Sequence, residues 1–239
     1  MKKNFYFLVF LIILLGSQVS RSQSVFSDFT YSREGWVVYD VNNHLDTDCF
    51  ISDGGNPGGY ISEDNEVSTG PRFFAAPLKF LGDRSGAYNK SFSFDMMLSD
   101  TTMDTTVAFK QYADLRISGS GLDLFISLPH DTLPWFWQHF QVLFNENSGW
   151  HLNSLTGPAP TYQNMIDVLS NVTSIRIKGK YSDNAGTGGI DNVFLSASSP
   201  ISTFDTDYEG WRVIGDVQNG SGMPNYHSTG GHPSSSRPH

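Results

Sequence analysis

The stretch Ser91-Phe92-Ser93-Phe94-Asp95-Met96 alternates between apolar and polar side chains. Successive side chains of a β-strand point to opposite faces of a sheet, so this period of two predicts a half-buried strand. The phenylalanines share one face, and the serine and aspartate side chains share the other. The pattern therefore indicates a sheet with one face against a hydrophobic core.

Comparable strand patterns occur along the chain on both sides of this stretch. Residues 115–118 and 122–126 flank Gly119-Ser120-Gly121, which predicts a hairpin with a glycine-bearing loop. Residues 140–144 and 174–181 also alternate. Many short strands separated by glycine-rich turns favour an all-β protein in which two sheets form a sandwich.

One segment has helical spacing instead. Tyr162, Met165, Ile166 and Leu169 recur at i, i+3, i+4 and i+7, and Thr161 precedes them as an N-cap residue. The spacing predicts one short helix over residues 161–170. We expect this helix to cover one end of the sandwich.

Part of the sequence occurs twice. Residues 29–36 end in Glu-Gly-Trp, and residues 204–211 repeat that ending. Such self-similarity defines a module, here expected over residues 27–197. Residues 201–239 then form the start of a second, truncated copy, which we expect to be an unfolded tail because it lacks the strands that would bury its apolar face. Trp36, at the entry of the first copy, is expected to be a core anchor.

The N-terminus has the layout of a secretory signal peptide. Lys2 and Lys3 precede an apolar run at residues 5–15, and small and polar residues follow up to position 22. The run is too short to span a bilayer comfortably, so residues 1–22 are expected to be cleaved. The sequence thus predicts a secreted protein with no membrane span after cleavage; the alternative is an uncleaved anchor.

Composition excludes several function classes. The formal net charge is −9, with only 15 Lys and Arg residues against 24 Asp and Glu residues. Nucleic acid is not an expected partner, because phosphate binding needs clustered basic residues. Cys49 is the only cysteine, which rules out an intramolecular disulfide and is more typical of a small buried hydrophobe than of a nucleophile. The Gly-x-Ser-x-Gly and His-Glu-x-x-His motifs are absent, so no enzyme is predicted.

Several blocks together resemble a known family, the laminin B domain, also called laminin domain IV type A. The blocks occur in the family's order at residues 75–83, 87–95, 114–122, 168–179 and 189–195. Gly54-Gly55-Asn56-Pro57-Gly58-Gly59-Tyr60-Ile61 resembles the variant found in bacterial secreted members. The resemblance implies a jelly-roll-like β-sandwich, an extracellular role in adhesion or matrix architecture, and no known catalysis.

Four acidic residues are candidate ligands for a structural Ca²⁺ ion, because hard cations prefer carboxylate and carbonyl oxygens. They are Glu34, Asp40, Asp64 and Asp191. The first two recur in the second copy, and Asp191 belongs to the predicted closing strand. The alternative is that Glu34 and Asp191 are ordinary turn-forming or strand-end residues.

The densest aromatic segment, residues 133–140, is the candidate ligand site. As a strand, it would place one set of side chains in the core, namely Phe136, Phe140, Val142 and Phe144. Trp135, Trp137 and His139 would then lie on the outer face, where an indole can stack on a sugar ring. The alternative is that both tryptophans bury against a neighbouring loop.

These observations lead to one hypothesis and two alternatives. The chain is interpreted as a secreted, non-catalytic binding or adhesion module that recognises an extracellular glycan or a matrix or surface polymer. The first alternative is a structural spacer repeat of a larger cell-surface protein. The second is an accessory module of a secreted hydrolase.

Overall fold

A computed structural model describes residues 23–63, 70–98, 107–129, 136–182 and 188–198. Within these residues the chain forms thirteen strands. In chain order the strands are β1 (Val25–Ser27), β2 (Val37–Asp40), β3 (Leu45–Asp46), β4 (Phe50–Gly55), β5 (Gly58–Ser62), β6 (Arg72–Ala75), β7 (Ser91–Leu98), β8 (Leu115–Gly119), β9 (Leu122–Ile126), β10 (Gln138–Leu143), β11 (His151–Leu152), β12 (Val172–Lys178) and β13 (Gly188–Leu195).

The strands form two sheets, in which each assigned pairing is antiparallel. The six-stranded sheet has the order β10-β7-β13-β5-β4, and β1 also pairs with β13. The seven-stranded sheet has the order β11-β9-β8-β12-β6-β2-β3. The last strand therefore lies in the middle of the six-stranded sheet, between strands from the first half of the chain. The predicted two-sheet β-sandwich is confirmed.

The core lies between the sheets and is built from alternate strand residues. Phe92, Phe94 and Met96 of β7 are buried, as the alternation predicted. Trp36 is also fully buried, and its indole Nε1 donates to Ser27 Oγ at 3.0 Å. Trp36 is therefore a core anchor that keeps its one polar atom hydrogen-bonded.

The predicted hairpin is present as β8 and β9. Ser120 and Gly121 form the two-residue loop, with φ angles of 50° and 77°. Positive φ at both central positions is the geometry that matches the twist of the flanking strands, and glycine adopts it without steric cost.

The predicted helix is also present. Helix α2 (Tyr162–Ser170) follows α1, a short helix at Val107–Lys110, and two 3₁₀ turns at Leu78–Phe80 and Ser85–Ala87. Thr161 caps α2 by accepting from the Asn164 backbone N–H at 3.2 Å. Of the residues with helical spacing, Met165 and Leu169 are buried, whereas Tyr162, in the first turn, is exposed and its ring contacts Tyr88.

Some predictions fall on residues outside the described ranges. These are the signal peptide at residues 1–22 and the second copy at residues 201–239. In the described part of the chain, no helix is long and apolar enough to cross a membrane.

Cys49 is buried, and burial raises the pKa of its thiol to about 11, which disfavours the reactive thiolate.

Two leucines offer a matched test of the core. Leu124 is fully buried, whereas Leu78 is 85% exposed. We expect Leu124→Ala to lower the free energy of unfolding by about 2–5 kcal/mol, because it removes buried methyl groups and leaves a cavity. Leu78→Ala should change it by less than about 0.5 kcal/mol. Urea denaturation followed by tryptophan fluorescence measures both, and equal midpoints would contradict the assignment of Leu124 to the core.

Candidate functional site

Three neighbouring strands of the six-stranded sheet place His139, Asp95 and Asp191 side by side, and we call this set the polar row. The register pairs His139 of β10 with Asp95 of β7, and Asp95 with Asp191 of β13. Adjacent residues such as Phe94 and Ile190 face the core. The polar row therefore projects from the opposite, outer face of the sheet.

Asp95 is the centre of the polar row. Its Oδ1 lies 2.7 Å from His139 Nδ1, and its Oδ2 accepts from Asn192 Nδ2 at 2.8 Å and from Asn56 Nδ2 at 3.1 Å. The residue is only 6% exposed. Three donors from three elements thus compensate the loss of hydration of this carboxylate.

Asn192 reaches Asp95 because the strand bulges at this point. The register between β13 and β7 shifts between Asp191 and Phe194, and Asn192 adopts a φ of 50°. A β-bulge redirects a side chain that regular alternation would send to the other face. Here it turns the Asn192 amide toward the polar row.

Asp191 is completely buried, and backbone N–H groups bind both of its oxygens. Oδ2 accepts from Asn56 N at 2.6 Å, and Oδ1 accepts from Asn192 N at 2.7 Å. Burial raises the pKa of Asp191 to about 6, and the nearby Asp95 charge acts in the same direction. The tip of the β4–β5 hairpin packs closely here, since a Cβ at Gly55 would lie 2.8 Å from Asp191 Oδ2.

Trp137, Tyr60 and His139 form an accessible part of this face, and we call them the aromatic rim. Trp137 is half-buried; its Nε1 donates to Gly54 O at 3.0 Å, and its ring meets Tyr60 edge-on at 5.4 Å. The His139 side chain is 60% exposed. Gly189 leaves room for this packing, because a Cβ there would lie 2.9 Å from the Tyr60 ring. The aromatic rim is therefore held in place by backbone and ring contacts.

The structure places the predicted ligand residues as follows. Trp137 and His139 lie on the outer side of the sheet, and Phe140, Val142 and Phe144 lie in the core, as expected from the period of two. Trp135 lies outside the described residues. The prediction that Phe136 faces the core is wrong: it is 59% exposed, because β10 begins only at Gln138.

Sequence reasoning missed the partners of the polar row. The alternation in residues 91–96 places Asp95 on a polar strand face and indicates no role for it, and no motif points to Asn56, Asn192 or Tyr60. Their only local signals were the Gly-Gly-Asn-Pro turn and the Asp-Asn pair in the closing strand.

The three predicted calcium ligands that the structure describes do not come together. Glu34 accepts from the backbone N–H groups of Asp28 and Phe29 and forms an ion pair with Lys79. Asp40 lies in the other sheet and contacts His44, and Asp191 is buried in the polar row. Asp64 lies outside the described residues, which contain no group of three or more His, Cys, Asp or Glu residues that could hold a metal ion.

The fold and this face together define a β-sandwich module with a built outer surface. Residues 73–206 match the family model of Laminin B (Domain IV), which is more than half of the chain. The chain belongs to the Laminin B family.

Two relatives show how much is shared. Human laminin subunit gamma-1 is 33% identical over 132 residues, which is 54% of this chain and 8% of that protein. Laminin subunit gamma-1 of Xenopus tropicalis is 29% identical over 177 residues, covering 73% of this chain and 10% of that protein. The chain thus spans about a tenth of the length of these relatives. The L4b domain of human laminin alpha-2 has the same fold, with a TM-score of 0.59 at 13% identity, covering 73% of this chain and 97% of that domain.

The raised pKa of Asp191 has a measurable consequence for stability. A folded pKa of about 6, above the ordinary 3.8, means that the folded state holds this proton more tightly than the unfolded state. The stability that Asp191 contributes is complete below about pH 4 and is lost as the pH rises through about 6. We therefore expect the free energy of unfolding of the wild type to fall, relative to that of Asp191→Asn, as the pH rises from about 4 to about 6.

Urea denaturation at a series of pH values measures this difference. Asp53→Asn is the matched control, because Asp53 is exposed and, among the described residues, its carboxylate accepts only from the neighbouring Gly54 N–H. The difference in free energy of unfolding between Asp53→Asn and the wild type should not change with pH in the way expected for Asp191→Asn. Parallel pH profiles for the wild type and Asp191→Asn would contradict the raised pKa.

The calcium hypothesis stays a prediction, and thermal unfolding of the whole chain tests it. An ion that binds only the folded state raises the unfolding midpoint by mass action. Calcium should then raise the midpoint, and EDTA should reverse the increase. Identical unfolding midpoints in calcium and in EDTA would contradict the calcium hypothesis.

Proposed function

We propose that the chain is a secreted, non-catalytic extracellular module that binds carbohydrate or a surface polymer through the aromatic rim. The observation that carries this proposal is the half-buried Trp137 indole, which Gly54 and Tyr60 hold beside the exposed imidazole of His139. Sugar sites need a flat aromatic surface together with a few polar groups that set orientation. The aromatic rim supplies both on one face.

The support behind the aromatic rim favours recognition with little rearrangement. His139 uses Nδ1 to contact Asp95, so Nε2 is the ring nitrogen that remains for a ligand. Asp95 is in turn fixed by the amides of Asn56 and Asn192. Side chains that are already ordered lose little entropy when a ligand binds.

The two carboxylates of the polar row support a non-catalytic function. A glycosidase needs two carboxylic groups that flank the scissile bond and contact the substrate. Asp191 is fully buried and Asp95 is nearly so. Their oxygens accept hydrogen bonds from protein N–H groups, which gives both residues a role in holding the hairpin and the imidazole.

Two features support an extracellular location. The chain belongs to a family whose members include laminin subunits. The first 22 residues also have the composition of a signal peptide. On this proposal the partner is an extracellular glycan or a matrix or surface polymer, and nucleic acid is not a partner.

A structural spacer is the second candidate, and one observation favours it. The hydrogen bonds of the polar row described above are internal, so its residues could serve only to hold the β4–β5 hairpin on the sheet. On this alternative Trp137 and His139 would contribute to stability and to no ligand.

A glycan array separates the two candidates. We expect the wild type to be retained on at least one glycan, and Trp137→Ala and His139→Ala to weaken that binding by about tenfold or more, because central aromatic contacts dominate binding energy. Tyr162→Ala is the matched control, since Tyr162 is an exposed aromatic residue on α2. Its affinity should stay close to that of the wild type.

Urea unfolding of the same variants shows whether any loss reflects misfolding. A folded Trp137→Ala with unchanged glycan affinity would contradict the proposed site. Failure of the wild type to bind any glycan or matrix polymer would overturn the proposed function and leave the spacer.

A further inference from the structure

The outer face of the seven-stranded sheet carries two arginines directly opposite each other. Arg116 of β8 and Arg176 of β12 are register partners. Their strand neighbours, including Ile117 and Ile175, are buried in the core. Both guanidinium groups therefore lie on the outer face of the seven-stranded sheet. The polar row, in contrast, lies on the six-stranded sheet.

The first arginine is neutralised within the protein. Arg116 binds Asp123 through two hydrogen bonds, Nε to Oδ1 at 3.2 Å and Nη2 to Oδ2 at 2.8 Å. Its guanidinium also lies 5.3 Å from the centre of the Phe125 ring. This bidentate pair fixes Arg116 and uses its charge.

The second arginine has no such partner among the described residues. Arg176 lies over the Tyr39 ring at 5.4 Å, and its one side-chain hydrogen bond is a long contact of 3.5 Å from Nη1 to Asn43 Oδ1. It forms no ion pair with any residue that the structure describes. Burial and the neighbouring Arg116 charge both lower the pKa of Arg176. The Asp123 carboxylate, which is bound to Arg116, and Tyr39 act in the opposite direction. A half-buried cation that forms no direct ion pair with a described residue favours an anionic ligand.

A cavity of about 230 Å³ opens beside Arg176. Its walls include three aromatic rings and the two arginines, namely Phe73, Tyr112, Phe125, Arg116 and Arg176. The volume is below the range of about 300–1,000 Å³ that drug-sized ligands occupy, so the cavity suits a single ring.

Asp40 is the one carboxylate among the described residues that line this cavity, and it is already hydrogen-bonded. Asp40 contacts His44 Nδ1 at 2.8 Å and accepts from the backbone N–H groups of Asn42 and His44. The bonds to Asp40 close a local turn, and no contact joins Asp40 to Arg176. An anionic group in the cavity would therefore find Arg176 available and Asp40 held by other donors.

We propose that this cavity binds one uronic acid ring of an acidic polysaccharide, with Arg176 binding the carboxylate and the aromatic walls contacting the ring. The planar guanidinium presents paired N–H donors that match carboxylate geometry. Aromatic rings supply the apolar surface on which a pyranose packs. The cavity and the aromatic rim lie on different sheets, so an experiment can contradict one proposed binding site without contradicting the other.

Titration of the ¹⁵N-labelled chain with D-galacturonate, D-galactose and acetate tests the proposal. Galacturonate should shift the backbone resonances around Arg116, Phe125 and Arg176, and leave those around Asp95 and His139 unchanged. Galactose, which lacks the carboxylate, and acetate, which lacks the ring, should each bind at least about tenfold more weakly. The Arg176→Gln variant should lose galacturonate binding by about tenfold or more, because a hydrogen-bonded charge is removed.

Two controls make the outcome decisive. Lys90→Gln removes the same charge from a lysine whose ammonium group forms no hydrogen bond or ion pair with a described residue, and it should bind galacturonate as the wild type does. Trp137→Ala should also bind galacturonate normally. Equal binding of galactose and galacturonate, equal binding of acetate, or unchanged binding by folded Arg176→Gln would overturn the proposal, as would the absence of resonance shifts in the wild type.

Discussion

The β-bulge at Asn192 is the constraint on which the outer face of the six-stranded sheet depends. Strand β13 lies between β7 and β5, so its register decides which side chains stand beside Asp95. The bulge turns the Asn192 amide toward Asp95, while Asp191 keeps its place in the ladder. The backbone N–H groups of Asn56 and Asn192 then make the burial of Asp191 tolerable. These hydrogen bonds hold Asp95 and the β4–β5 hairpin in place, and they in turn position His139 and Trp137 of the aromatic rim.

Much of the sandwich could be predicted because its signals are local. The alternation in β7 follows from which side chains must be buried, and the Ser120-Gly121 loop follows from the φ angles that a two-residue hairpin requires. Thr161 could be identified as a cap because its partner, Asn164, is three residues away. The exposure of Tyr162 could not be predicted, because helical spacing shows which residues share a face and not whether the core extends to the first turn.

The candidate site could be predicted only in part, because its decisive contacts join distant segments. The period of two placed Trp137 and His139 on the outer side, yet Asp95 is bound by Asn56, 39 residues earlier, and by Asn192, 97 residues later. No local pattern signals such pairs. A strand-end Asp and a turn Asn each look like ordinary turn-forming residues until the register between strands is known.

The two outer faces can differ in chemistry because the core does not constrain them. Burial decides the inward positions of each strand, so Phe94 and Ile177 have little freedom. The alternate positions leave the core unchanged, and here they carry Asp95 on one sheet and Arg176 on the other. The Laminin B family therefore shares the sandwich, while half-buried outward residues such as Arg176 can differ with little effect on the core.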